Sequence, residues 1–351
     1  MTEPTSRERQ AELVARMARL GPAFAERAAE YDRLASFPHE NFADLADAGF
    51  LGLCIPERYG GLGADFATYA RVSEELGRHC GSTGLTFNMH TATCLLVGPI
   101  ADALDLGSED RALLGERRAA LFADIIGNHT IHAQPFSEGL STGATSGIAT
   151  TATPVEGGYR VNGRKIFASL SEAAGMHNIV CLVPGDDRVR LMGVPAGADG
   201  LSIVGDWDPL GMRGTISKNL VFEEVFVPAE NEWIPPGLFD QVAASYPFFY
   251  MTLSFTFVGL MGGVLDLAGR YLRGEVDGSD RTAHPQKQAL WAEMQLTYQQ
   301  AQALLYRVVD EARVDPDPAD VQRAWASMVT TMEGAPEIAS LAIRACGGRS
   351  L

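Results

Sequence analysis

The chain has 351 residues, enough for about two domains and for a core that needs no disulfide or metal staple. Hydrophobic residues make up 46% and charged residues 21%, which excludes a disordered or fibrous chain. Lysine and arginine total 28 against 44 acidic residues, and the net charge of −16 argues against nucleic acid or an anionic membrane as partner. Cys54, Cys80, Cys94, Cys181 and Cys346 are scattered without a C-x-x-C pair, the pattern of reduced thiols in a cytoplasmic protein with no zinc site. Met1 to Gln10 has no apolar h-region, so no signal peptide is expected.

From Glu8 to about Glu30, Leu13, Met17, Leu20 and Phe24 recur at helical spacing, interrupted at Gly21-Pro22. Phe42, Leu45, Ala48 and Leu51 predict a short helix that stops at Gly49 or Gly52. After the turn Tyr59-Gly60-Gly61-Leu62-Gly63, Asp65 is the expected N-cap of a helix carrying Tyr69, Val72 and Leu76. Helical patterning continues to about Ile126 and then gives way to period two. Gly147 to Ala168 alternates apolar and polar residues around turns predicted at Gly157-Gly158 and Asn162-Gly163. Further strands are predicted over 178–183, 190–194, 201–204 and 219–227, the last ending at Pro228.

Helices return after Pro235-Pro236. The uncharged run from Gln241 to Leu265 is long enough to raise a membrane span, but Tyr246, Pro247 and Gly262-Gly263 favour a buried helix in a soluble bundle. Leu290, Met294, Thr297, Ala301, Leu304 and Val308 mark a bundle helix over 286–312. Asp317-Pro318 opens another with Val321, Trp325, Met328 and Met332, broken at Gly334 and Pro336, and Met294 and Trp325 read as core. The chain is therefore expected to be α+β. An N-terminal α-helical domain over 1–128 precedes a middle antiparallel β domain over 129–236 and a C-terminal helical bundle over 237–351.

Spacing motifs exclude more than they assign. Gly60-Gly61-Leu62-Gly63 lacks the dinucleotide-binding spacing, and Gly259 to Gly263 lies inside an expected helix, so no Rossmann site is predicted. His129 and His132, three apart in an expected strand, would face opposite ways and share no metal ion.

Whole stretches carry a resemblance. Asp47-Ala48-Gly49-Phe50-Leu51-Gly52-Leu53 is followed by Ile55-Pro56-Glu57-Arg58-Tyr59-Gly60-Gly61, then Glu74-Glu75-Leu76-Gly77-Arg78 and Phe87-Asn88-Met89-His90. Gly157-Gly158-Tyr159-Arg160-Val161-Asn162-Gly163-Arg164-Lys165-Ile166-Phe167, Trp207-Asp208-Pro209-Leu210-Gly211-Met212-Arg213-Gly214-Thr215 and Phe222-Glu223-Glu224-Val225-Phe226-Val227-Pro228 continue in order to Cys346-Gly347-Gly348. Together these resemble the acyl-CoA dehydrogenase superfamily over nearly the whole chain.

The resemblance implies FAD held between the β domain and the C-terminal helices. Ser137-Glu138 and Ser169 match the residues that hydrogen-bond the flavin ring, and Phe167 matches the aromatic beside it. Gly347-Gly348 match the double glycine at the nucleotide moiety, and Arg281 is a partial echo of an Arg-x-x-Phe-Gly run. Phe87, Met89, Phe249, Tyr250 and Phe255 are expected to line an acyl pocket. Family members continue beyond the double glycine, so the last part of the family domain is expected to be missing.

The implied activity is α,β-desaturation of an acyl-CoA or acyl-carrier thioester with hydride transfer to flavin N5. It requires a carboxylate base in a dry pocket. None is identified: 241–265 contains no Asp or Glu, and Glu333 and Glu337 read as a solvated helix end. Two alternatives stand beside it, a flavin-dependent monooxygenase on the same fold and an inactive or partner-dependent subunit of a hetero-oligomer. The implied partners are an electron-accepting flavoprotein or oxygen and further copies of the chain in a homodimer or homotetramer.

Overall fold

The computed structural model describes residues 6–139, 147–276, 278–279 and 282–347. The first third is helical: α1 (Ser6–Leu34), α2 (His39–Asp47), α3 (Phe66–His79), α4 (Gly81–Leu95), the single turn α5 (Ala101–Ala103) and α6 (Ser108–Asn128). Asp65 caps α3 as the sequence predicts, its carboxylate accepting from the Thr68 amide at 2.8 Å. The predicted interruption at Gly21-Pro22 is corrected, because α1 runs straight through it. A proline inside a helix costs about 3 kcal/mol. Here the buried stripe Leu13, Met17, Gly21 and Phe24 outweighs that cost, and a side chain at Gly21 would overlap the His79 ring. His129 is the left-handed C-cap of α6 rather than a strand residue.

The middle region contains β1 (His132–Ala133), β2 (Thr151–Val155), β3 (Gly158–Ala168), β4 (Met176–Val183), β5 (Asp186–Pro195), β6 (Leu201–Val204) and β7 (Lys218–Pro228). They are ordered β1-β4-β2-β3-β7-β6, with β5 also on β4. Most pairs are antiparallel, but β4 pairs with β1 and β2 in parallel. The hairpin turn at Gly157 forms as expected. Asn162-Gly163 makes no turn: β3 continues through it with a bulge against β7, Gly163 has φ +151°, and Thr150 occupies the space of its missing side chain. Asn162 instead accepts from the Glu224 amide at 2.9 Å. Strand alternation sends Ile179 and Cys181 of β4 into the β core with Val161, Leu220 and Phe222, while Val180 faces the helical core.

The C-terminal bundle comprises α7 (Leu238–Ser245), α8 (Thr252–Leu272), α9 (Pro285–Glu311) and α10 (Pro318–Cys346). The uncharged run is two helices rather than one, because Pro247 starts a short 3-10 turn between α7 and α8. The stretch from Pro247 to Leu272 has the length and apolarity to cross a membrane, yet most of it is buried against α3, α9 and α10. The predicted break at Gly334 and Pro336 is also corrected. α10 is continuous because Ala324, Ser327, Thr331, Gly334 and Ile338 form one buried stripe, with Pro336 on the exposed side. Met294 is core as expected, but Trp325 is 62% exposed and shares one face of α10 with exposed Val329 and Met332.

Glycines set the depth of the bundle. A side chain at Gly77 would overlap the Thr256 carbonyl, and side chains at Gly259 and Gly263 would overlap the carbonyls of Glu74 and Arg78. α3 and α8 therefore touch backbone to backbone. Helix propensity favours alanine over glycine by about 1 kcal/mol, but the obstacle here is fixed main chain, which makes overpacking dominate. Gly259→Ala is expected to lower stability by about 1–3 kcal/mol, seen as a lower denaturation midpoint at unchanged m-value.

Candidate active site

The residues between β1 and Gly139 are tied to β3 by an ion pair and a main-chain hydrogen bond. Lys165, fully buried on β3, donates to the Glu138 carboxylate and, at 2.7 Å, to the Val180 carbonyl on β4. Glu138 also accepts from the Ala149 amide at 2.6 Å and the Thr150 hydroxyl at 2.7 Å. Burial opposes ionisation of Glu138, but Lys165 and these donors hold its carboxyl below the usual range. Burial likewise lowers Lys165, and Glu138 offsets part of that. Within the protein the Glu138 side chain therefore ties β3 to the approach to β2. Its neighbour Ser137 is fixed with it, accepting the Ile166 amide at 2.8 Å.

Two residues along β3, Phe167, the last but one of the strand, has φ +50° and 65% of its surface exposed, its ring edge-on to Trp207 at 6.4 Å. Ser169 is buried, its amide bonded to the Phe167 carbonyl at 2.9 Å and its hydroxyl 2.8 Å from that of Ser217. Ser217 lies 2.7 Å from the Thr215 hydroxyl, which bonds the Met212 carbonyl at 2.9 Å. Left-handed backbone is concentrated here: Phe167, Leu170, Met212 and Ile216 all have positive φ. Such conformations cost about 1–3 kcal/mol each and persist where the surroundings over-determine them. Here the Leu170 amide bonds Thr215, and both the amide and hydroxyl of Ser171 bond the Ile216 carbonyl.

Histidines anchor the start of the same segment. The His132 amide donates to His90 Nδ1 at 3.0 Å, so His90 is the Nε2–H tautomer, which donates to the Leu51 carbonyl at 2.9 Å. Burial, with His132 adding to it, pushes His90 down to about 3. His177, inside the β region, has neither ring nitrogen bonded and is pushed down to about 4, chiefly by burial. Gln134 Nε2 is another buried donor without a partner.

The other predicted residues separate into two groups. Arg281 and Gly348 lie outside the described residues. Gly347 caps α10 with φ +76°, and Lys287 Nζ stands 4.0 Å from where its side chain would begin. The end of α10 therefore lies beside the start of α9, where Arg273, Thr282, Pro285, Gln288 and Trp291 line a cavity of about 850 Å³. The Trp291 indole N–H on its wall is buried without a partner. Of the predicted pocket residues, Phe87 and Phe255 are wholly buried, Phe255 against Phe66 and Tyr69. Phe249 is buried, Met89 is half-buried, and Tyr250 reaches the surface. Glu333 and Glu337 are exposed on α10. Sequence reasoning left Ser217, Thr215 and Trp291 unassigned; Thr215 stood in a quoted motif, but nothing in the pattern showed that it reaches Ser169 through Ser217.

The family models for the acyl-CoA dehydrogenase N-terminal and middle domains match residues 7–109 and 137–225. The chain belongs to the acyl-CoA dehydrogenase superfamily, whose members are FAD-dependent oxidoreductases. Mitochondrial isovaleryl-CoA dehydrogenase of Solanum tuberosum is 28% identical over 92% of this chain and 77% of its own length. The short-chain specific acyl-CoA dehydrogenase of Clostridium acetobutylicum is 29% identical over 74% of this chain, which spans 65% of that relative. Among solved structures, FMN-bound TdsC from Paenibacillus sp. A11-2 superposes with a TM-score of 0.78 at 22% identity, covering 97% of this chain and 88% of that one. Methanesulfinate monooxygenase MsuC from Pseudomonas fluorescens gives 0.77 at 22%, covering 96% and 87%. Identities this low show a shared fold alone.

The residues present fit FAD. Ser137, Phe167 and Ser169 offer an aromatic wall and short polar groups for a flavin ring, and the α8–α9 cavity offers an arginine and an indole whose N–H has no partner.

Replacing Lys165 with methionine leaves Glu138 buried without its counter-charge. Lys165→Met is expected to cost about 3–5 kcal/mol and to abolish co-elution of FAD, measured by chemical denaturation and by absorbance after desalting. The histidines predict a pH dependence. His90 and His177 stay neutral in the fold, whereas in the unfolded chain they protonate near about 6.5. Stability is therefore complete above that pH and falls as pH drops toward about 4, the value at which the folded His177 itself protonates. His177→Leu is expected to shrink the fall by on the order of 3 kcal/mol at pH 4, read from Tm against pH.

Proposed function

We propose that this chain is a flavoenzyme that oxidises an acyl-CoA or acyl-carrier thioester between its α and β carbons. The observation that carries the reading is the gathering of Ser137, Phe167 and Ser169 at one end of β3 by the Lys165–Glu138 clamp. Bound FAD supplies a two-electron acceptor at N5. The protein's part is to hold the ring: Phe167 walls one side against water, Ser137 and Ser169 orient its polar edge, and the α8–α9 cavity retains the nucleotide. Exposed Trp325, Val329 and Met332 on α10 support a homodimer or homotetramer. The five cysteines form no disulfide, which suits a reducing cytoplasm, and electrons would leave to a flavoprotein or to oxygen.

One observation favours a second reading. From Thr252 to Leu265, α8 has no carboxylate, while Asp266 pairs with Arg78 and Asp240 accepts the Val189 amide. A flavin monooxygenase needs no α-proton base, and this uncharged helix suits it. The two readings separate in one experiment on the FAD-loaded chain. Anaerobic bleaching of the flavin band by short or branched acyl-CoAs is the expected result. No bleaching, together with oxygen uptake when reduced flavin is supplied, would replace the dehydrogenase with the monooxygenase.

A further inference from the structure

Three hydroxyls run in a line from the candidate flavin site into the protein, and their hydrogens can be placed without seeing them. A carbonyl oxygen only accepts, so the 2.9 Å contact between Thr215 Oγ1 and the Met212 carbonyl is a bond donated by Thr215. The hydrogen of Thr215 is then spent, and the 2.7 Å contact with Ser217 must be donated by Ser217. Ser217 has no second hydrogen, so the 2.8 Å contact with Ser169 is donated by Ser169. Each of the three side chains is at least nine-tenths buried. The chain of bonds leaves Ser169 with lone pairs only.

The geometry points to a site whose Ser169 accepts but does not donate a hydrogen bond, with Ser217 and Thr215 as positioning residues that set this polarity. The inference rests on the proposed reading that Ser169 orients the polar edge of the flavin ring, and takes N5 as the atom on that edge that it meets. Oxidised flavin has a bare nitrogen at N5, an acceptor that an acceptor-only hydroxyl cannot satisfy. Reduced flavin carries N5–H, a donor that it can. The site is therefore biased toward the reduced cofactor. The left-handed residues Phe167, Leu170, Met212 and Ile216 bracket the three hydroxyls and fix both ends of the line. In β3 and β7 the register pairs Ala168 with Lys218, which sets the next residues outward, Ser169 and Ser217, against each other.

The test measures the affinities of the full chain for oxidised FAD and for anaerobically reduced FAD. Wild type is expected to bind the reduced form more tightly. Ser217→Ala removes the acceptor of the Ser169 hydrogen and frees it to donate. The preference for reduced FAD should fall about tenfold, a drop of about 30 mV in the two-electron potential. Thr215→Val should lower it in the same direction, since Ser217 loses its acceptor, and Ser217→Thr should restore it by keeping the hydroxyl. A Ser217→Ala preference equal to wild type, in a protein where Ser169→Ala alters it, overturns the hydroxyl line and leaves the flavin contact standing. If Ser169→Ala changes neither affinity nor flavin spectrum, or wild type binds FAD in neither state, the reading of the site fails and the inference with it.

Discussion

The organisation of the candidate site depends on one buried ion pair. Lys165 and Glu138 are both removed from water, a cost of several kcal/mol per ion unless geometry and added hydrogen bonds compensate. Compensation comes from four places at once: the Val180 carbonyl, the Ala149 amide, the Thr150 hydroxyl and the charges themselves. Those partners belong to β3, β4, the approach to β2 and the segment after β1. Satisfying two charges therefore forces four stretches of chain together, and Ser137 and Phe167 become neighbours as a consequence.

The helical bundle follows a different logic. α3 and α8 approach until their backbones touch, with Gly77, Gly259 and Gly263 at the contact. On its other side α3 turns Glu74 toward α9, where Tyr298 donates at 3.1 Å, Gln302 at 2.6 Å and Tyr306 donates as well. Burial, reinforced by Glu74, pushes both phenols up, so they remain donors at every working pH. α8 is left with apolar packing and no charge along Thr252–Leu265.

Strain and hydrogen bonding coincide at the β3 end. Ile216 is β-branched and Phe167 bulky, and neither adopts positive φ without support. The Leu170 amide and the amide and hydroxyl of Ser171 bond the Thr215 and Ile216 carbonyls, beside the line of Ser169, Ser217 and Thr215. A surface that holds four such residues in place is preorganised: little remains to be ordered when a planar ring is bound.

The sequence by itself determined the family, the helix–strand–helix order and the local signals whose physics is local. Asp65 caps α3 through its own side chain, and Gly157 makes a hairpin turn through its own φ, so both were legible. Predictions that failed were those where a local preference met a tertiary demand. Pro22 and Pro336 did not break helices, because buried stripes on either side were worth more than one lost hydrogen bond. Asn162-Gly163 became a bulge because β7 pairs across it, and Trp325 faces outward because the helical period alone does not say which face is covered. The motif around Lys165 and Phe167 marked the site, but which groups meet there was decided by β3, β7 and the Glu138 segment. Charge pairing and hydroxyl polarity act over a few ångströms between residues some 25 to 50 positions apart, and only the folded chain brings those residues within range.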